Sequence, residues 1–325
     1  MNALKGPLSF HPVYKDYIWG GSRIPLTYRR TGAPQVCAES WEISAHPDGP
    51  SVVANGAWAG TRLDELVRRF GGDLLGRRAP QPDRFPLLFK LIDARDRLSV
   101  QVHPNNANAS RTGGEPKTEM WYVLGCEPGA ALFAGLAEGV AEDSLRQALG
   151  AGTAGDCLVR LPVAPGQALF IPGGLVHAIG AGCLVYEVQQ NSNTTYRLYD
   201  WDRKGADGKP RALHIDESFK TIDWTLRVPR MVRPQPSTRP GPNAWSEVVA
   251  CDYFTLRKLE LSTPETIGVD GASFHGLFVE RGSLHLAADG ESVRLAAGAS
   301  ALVPACSAGY TLTPETDSAV LVTTL

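Results

Sequence analysis

The sequence predicts a mainly β protein: two jelly-roll barrels in tandem, with a small helical portion inserted in or near the N-terminal one. Three observations predict this. Short apolar or alternating runs recur along the 325 residues, separated by turns that draw on 34 glycines and 24 prolines. A proline-dense stretch, "VPRMVRPQPSTRPGP", separates a long first part from a shorter second one. The heptapeptide "GQALFIP" at 166–172 is echoed by "GASALVP" at 298–304, so a similar unit is expected twice.

In chain order, "ESWEIS" and "PSVVANG" are short β pieces in the first sixty residues. A helix is expected over about 61–76, where Leu63, Leu66, Val67 and Phe70 recur at helical spacing and Thr61 or Asp64 starts the first turn. "PLLFKLIDARDRLSVQVH" reads as two strands around an Asp-Ala-Arg-Asp turn, followed by strands in "KTEMWYVLG" and "GAALFAGL". A second helix is expected over about 141–151, with Leu145, Ala148 and Leu149 on one side. Strands resume from Cys157 to Trp201, and "PRALHIDESFKTIDW" reads as partly helical. The resulting plan is a domain over 1–228, a linker over 229–242 and a second, degenerate copy over 243–325.

Composition narrows the function. Hydrophobic residues make up 43% and charged residues 20%, the net charge is −2, and no basic cluster stands out. Neither nucleic acid nor an anionic membrane is an expected partner. No apolar run is long enough to cross a bilayer, and the N-terminal stretch lacks the apolar core of a signal peptide. The six cysteines form no CxxC pair and read as reduced thiols. A cytoplasmic protein acting on a small molecule is expected.

The chemistry concentrates in the first copy. In "GQALFIPGGLVHAI" an apolar strand ends in Pro-Gly-Gly, a tight-turn sequence, and His177 opens the next apolar segment. Residues two apart on a strand share a face, which pairs Gln101 with His103 and aligns Lys117, Glu119 and Trp121. The same rule sets Glu187 beside Gln189, and Arg197 beside Thr195 and Tyr199. A lysine and a glutamate on an otherwise apolar strand are costly to bury unpaired. They face either water or a polar cavity. In the second copy the position matching His177 is Gly309, and His275 and Glu280, five apart, point to opposite faces, so neither they nor His285 are expected to build a second metal site.

Gln-x-His, sixteen residues on a Glu, six on a Gly, then Gly-x5-Pro-Gly-Gly-x2-His resembles the paired motifs of the cupin superfamily, with Gln101 where a histidine is usual. "SVQVHPNN", "KTEMWYVL", "PGGLVHAI", "NSNTTYRLYDW", "YIWGG" and "ESWEIS" together resemble the shorter bacterial type I mannose-6-phosphate isomerases. The resemblance runs over about residues 10–225 and more loosely beyond. It implies one Zn²⁺ per chain held by Gln101, His103, Glu119 and His177, a donor set of imidazole, carboxylate and amide that suits zinc. It also implies that Arg197 is an active-site arginine and that Lys117 faces the same cavity. The implied activity is aldose–ketose isomerisation of D-mannose 6-phosphate and D-fructose 6-phosphate. Glu187 is either a partner of Arg197 or Lys117 or an acid/base, and Glu187 and Lys117 are both candidates for the proton transfer. Asn193 departs from the pattern, standing where an Asp is expected. Two rival readings are a cupin that binds a sugar phosphate without turning it over and an iron-dependent cupin oxygenase. Gln101 and the pairing of Glu119 with Lys117 weigh against the latter.

Overall fold

The structure, a computed structural model, describes residues 4–205, 207–235 and 241–325. Antiparallel strands dominate, and the chain forms two compact units. A central unit takes Tyr14–Glu39 and Leu91–Val232; a terminal unit takes the described residues up to Val13, Ser40–Lys90 and those from Arg233 onward. Three of the four boundaries fall inside strands, Val13–Lys15, Glu39–Ile43 and Leu87–Ala94.

One sheet, most of whose residues belong to the central unit, runs in the order Ala168–Ile171, Glu119–Cys126, Cys183–Gln190, Leu87–Ala94, Glu39–Ile43, Val13–Lys15. The other runs Tyr196–Tyr199, Val100–Val102, His177–Ile179, Ala131–Leu136, Leu158–Pro162. Trp121, Leu169, Ile171 and Val185 of the first sheet pack with Leu132, Ala134 and Ile179 of the second to form one core. Inward apolar residues on two packed antiparallel sheets are what the alternation predicts.

The terminal unit repeats the plan. Its larger sheet runs Ala244–Ala250, Thr255–Leu261, Ser318–Thr324, His275–Arg281, Ser300–Val303, Leu8–His11, Val52–Val53. Its smaller sheet runs Glu265–Gly268, Gly309–Pro314, Ser283–Ala288, Glu291–Ala296. Leu259, Leu277, Val279 and Val320 pack with Leu284, Leu286 and Leu312.

The heptapeptide echo is a structural duplication. Gly166 and Gly298 both take positive φ, 82° and 85°. Each donates its N–H to a valine carbonyl of the adjacent strand, Gly166 to Val123 (2.8 Å) and Gly298 to Val279 (2.7 Å). Each valine N–H returns to the carbonyl after the glycine, Gln167 or Ala299. Only glycine enters this conformation without a steric penalty, which is why the sequence signal survives at that position.

Residues 4–13 and 40–90, read from the sequence as part of a domain over 1–228, cluster with the C-terminal copy. The cause is strand pairing: Leu8 stands opposite Leu302 and Ser9 opposite Ala301. The expected helix over 61–76 is two helices, Leu63–Phe70 and Gly72–Leu75, broken at Gly71 with φ of 48°. Its first turn carries Asp64 bonded to Arg62, and no side chain caps it. The second helix spans Glu142–Gly150, and "PRALHIDESFKTIDW" contributes Ile215–Thr221. Within the expected linker, Val232 exchanges two backbone hydrogen bonds with Ala168, both 2.8 Å. Residues 236–240 of that linker lie outside the described residues. Among the described residues no helix is long and apolar enough to cross a membrane. None of the six cysteines is in a disulfide.

Candidate metal centre

The five-stranded sheet of the central unit brings the first ligand candidates together by register. Gln101 pairs with His177 across adjacent antiparallel strands, so both side chains stand on one face. His103 follows the same strand and Glu119 opens the facing one. The carboxylate is the hub: Glu119 Oε1 lies 3.4 Å from His177 Nε2, and Glu119 Oε2 lies 3.6 Å from His103 Nε2. Gln101 Nε2 lies 3.4 Å from His177 Nε2, and the two imidazole rings are 4.8 Å apart. His103, Glu119 and His177 are buried, with potential ligand atoms all within 4.8 Å of one another.

The Pro-Gly-Gly turn explains how three separate segments hold this spacing. Gly173 N–H donates to Thr118 Oγ1 (3.1 Å), beside Glu119, and Gly174 N–H donates to the carbonyl of His103 (2.7 Å). Lys117 N–H closes the loop on the Pro104 carbonyl at 2.8 Å. The backbones come too close for side chains: a Cβ on Gly173 would meet Pro104 O at 2.7 Å, and one on Gly174, where φ is +96°, would meet Asp223 Cβ at 2.9 Å. Gly173→Ala is expected to cost about 1–3 kcal/mol, since the overlap is with backbone that cannot rotate away. It should also weaken metal retention by parting His103 from Glu119. Urea unfolding and metal content of the purified variant check both effects.

His177 is prepared as a neutral donor. Its Nδ1–H donates to the Leu175 carbonyl (2.8 Å), which leaves the Nε2 lone pair toward Glu119 and Gln101. Burial lowers its pKa to about 3, so the ring carries no proton on Nε2 at neutral pH.

The remaining predicted residues gather around this cluster. Lys117 is buried, with Nζ 2.9 Å from Glu119 Oε2 and 3.1 Å from His103 Nε2. Glu187 stands opposite Trp121 and accepts its indole N–H at 2.8 Å, while the Trp121 ring meets His177 edge-on at 5.4 Å. Sequence reasoning gave Trp121 no role; its place two residues after Glu119, on the same face, was the available signal. Arg197 stands opposite Gln101 and therefore on the ligand face. Its backbone N–H donates to His214 Nδ1 (3.2 Å) and its Nη1 to the Ala212 carbonyl (2.8 Å). Burial, and then Arg211, lower the pKa of its guanidinium. Close by, Arg203 and Arg211 both bond Asp200, at 2.6–2.8 Å. Burial alone would raise that carboxyl, but the two arginines outweigh it and hold it below its usual range.

One face assignment is corrected. Tyr199 stands opposite Val100, not on the face of Arg197, because the register shifts between them. The extra residue of a bulge reverses the alternation, and Tyr199 packs with Val100, Val102 and Leu198 instead. Asn193 lies in the preceding loop, its N–H 3.4 Å from Glu115 Oε2. In the second copy, His275 meets the Tyr310 hydroxyl, Glu280 pairs with Lys258, and His285 pairs with Glu315.

Known proteins share this architecture and sequence. Residues 8–122 match the family described as phosphomannose isomerase type I, catalytic domain, and residues 245–322 match the mannose-6-phosphate isomerase cupin domain. A mannose-6-phosphate isomerase of Streptococcus mutans is 40% identical over 257 residues, 79% of this chain and 79% of that one. The chain belongs to the type I mannose-6-phosphate isomerase family. Another mannose-6-phosphate isomerase, ManA of Bacillus subtilis, is 40% identical over 265 residues, 79% of this chain and 80% of its own. A crystal structure of the Bacillus subtilis mannose 6-phosphate isomerase superposes with a TM-score of 0.88 at 30% identity, covering 98% of this chain and 100% of that one. The catalytic-domain match includes Gln101, His103, Lys117 and Glu119; His177, Glu187 and Arg197 lie outside both family matches.

Proposed function

We propose that the chain is a zinc-dependent isomerase that interconverts D-mannose 6-phosphate and D-fructose 6-phosphate, with the ion held by Gln101, His103, Glu119 and His177. The observation that carries this is the convergence of these buried side chains on one point. The two histidine–carboxylate contacts, 3.4 and 3.6 Å, match the edge of a tetrahedron with bonds of about 2.0–2.2 Å, the usual zinc–nitrogen and zinc–oxygen lengths. A half-turn of the Gln101 amide would bring its oxygen into the cluster and direct its NH₂ at Ser99 Oγ, now 3.4 Å from Oε1. Two imidazoles and a carboxylate also suit ferrous iron. The fourth, amide donor and the ammonium of Lys117 against Glu119 favour zinc.

The reaction moves a proton between C2 and C1 of the open-chain sugar through a cis-enediolate. When bound, zinc would supply a Lewis acid to polarise the neighbouring sugar oxygens, an effect worth several kcal/mol. Lys117 places a positive charge beside the cluster, where it offsets the charge of an enediolate. Glu187, buried on the same face and oriented by Trp121, is a carboxylate positioned for proton transfer, with Lys117 as the other candidate. Arg197 offers a planar fork of donors to the phosphate or the developing oxyanion. All of these side chains come from one chain, so the site needs no second copy. A phosphorylated substrate and a full set of cysteine thiols suit the cytoplasm.

The decisive experiment is a coupled assay with mannose 6-phosphate before and after chelation. Turnover should vanish when the metal is removed and return with added zinc. Binding without turnover in the zinc-loaded protein would replace an enzyme with a sugar-phosphate-binding cupin.

A further inference from the structure

The C-terminal copy keeps the place of the metal centre but not its ligands. In the central unit Ile171 stands opposite Glu119 and Leu169 opposite Trp121. In the terminal unit Val303, which has the place of Ile171 in the repeated heptapeptide, stands opposite His275, and Ala301 stands opposite Leu277. His275 therefore occupies the position of Glu119. On the facing sheet Gly268 pairs with Gly309 as Gln101 pairs with His177. Two residues further on, Asp270 takes the position of His103. Val322, opposite Leu277, takes that of Glu187. Two donors have become glycine and a carboxylate has become valine, so neither a metal nor proton transfer is supported there.

The space has nevertheless not been filled. A cleft of about 760 Å³ opens at this place, lined by Asp270 and His275 together with Arg78, Trp245, Glu247 and Arg257. Glu247 stands opposite Arg257, in a row that continues through Val322 and Leu277. Val322 and Leu277 pack in the core, so the row lies on the inward face of the sheet. That face is aliphatic deep in the unit and charged at this end. Inward-facing charged heads at the mouth of a β-barrel add nothing to its apolar core, and barrel mouths are where ligands bind.

The geometry points to this cleft as a second binding site, for an anionic sugar such as a hexose phosphate, that binds without converting its ligand. Arg257 supplies guanidinium donors for a phosphate, and Arg78, whose Nη1 donates to Leu325 O (3.0 Å), offers its other N–H groups beside it. Glu247 and Asp270 accept from hydroxyls, and Trp245 presents an aromatic surface held in place by its indole N–H to Glu265 Oε1 (3.2 Å). The volume is within the range of small-molecule pockets. The assignment does not depend on the activity proposed for the metal centre.

The test follows the Trp245 indole N–H by NMR, its signal identified by its loss in Trp245→Phe. The probe is mannose 1-phosphate, whose blocked anomeric carbon prevents isomerisation. A saturable shift at up to millimolar concentration is expected in the unaltered chain and equally in Arg197→Ala. In Arg257→Ala, a truncation of an exposed side chain, affinity should fall about tenfold or more, with the rest of the amide spectrum unchanged. Inorganic phosphate should bind more weakly than mannose 1-phosphate. The proposal is overturned if no saturable shift occurs, if Arg257→Ala binds as tightly as the unaltered chain, or if the shift disappears in Arg197→Ala.

Discussion

Glu119→Gln should reduce turnover at least about a thousandfold, the loss of roughly 4 kcal/mol of transition-state stabilisation. The variant keeps the shape of the side chain but removes the charge that lies within 3.6 Å of both histidines and of Lys117. Metal content should fall with activity. Stability of the metal-free protein should fall too, by about 3–5 kcal/mol, because the Lys117 ammonium is buried and loses its carboxylate. The two losses can be separated. Adding Lys117→Met removes the stranded charge, so the double variant should regain most of the stability and none of the activity. Metal analysis, urea unfolding and the coupled assay read the three quantities. Full activity in Glu119→Gln would remove the cluster from the chemistry.

Arg197→Ala should give the opposite division: metal content unchanged, and kcat/KM lower by about 10²- to 10³-fold. The backbone contact from Arg197 N–H to His214 persists in the variant, so the strand should hold. Arg197→Lys should recover little, because an ammonium cannot reproduce a bidentate fork. If Arg197 grips the phosphate, the loss falls mainly on KM; if it acts on the developing oxyanion, it falls on kcat. Near-normal kinetics in the alanine variant would exclude it from both roles.

Local patterns in the sequence carried the fold class, and the grouping of the candidate ligands His103, Glu119 and His177, a long way. Alternation placed Lys117 and Glu119 on one face, and their 2.9 Å contact follows from it. The Gly-x5-Pro spacing marked two equivalent strands because each starts from a glycine with positive φ. What stayed hidden depends on pairing between distant segments. Nothing in "PLSFHP" announces that Leu8 will lie opposite Leu302, since strand propensity does not name a partner. The shift that turns Tyr199 away from Arg197 is equally invisible, because an unpaired residue in a strand looks like any other. Resemblance to a family singled out Gln101 and Arg197; residue type alone would have left both as ordinary polar strand residues.

The paired hydrogen bonds between Val232 and Ala168 bear on how this protein avoids sticking to itself. Ala168–Ile171 is the outermost strand of its sheet, and an uncovered outermost strand invites a neighbouring molecule to extend the sheet. The proline-dense stretch, rather than merely spanning a gap, lays one residue along that margin and follows it with prolines that cannot donate to a further strand. A chain cut at residue 228 would keep every proposed catalytic side chain, yet it would bare this margin and also leave Leu8–His11 without its partner Ser300–Val303, and should aggregate.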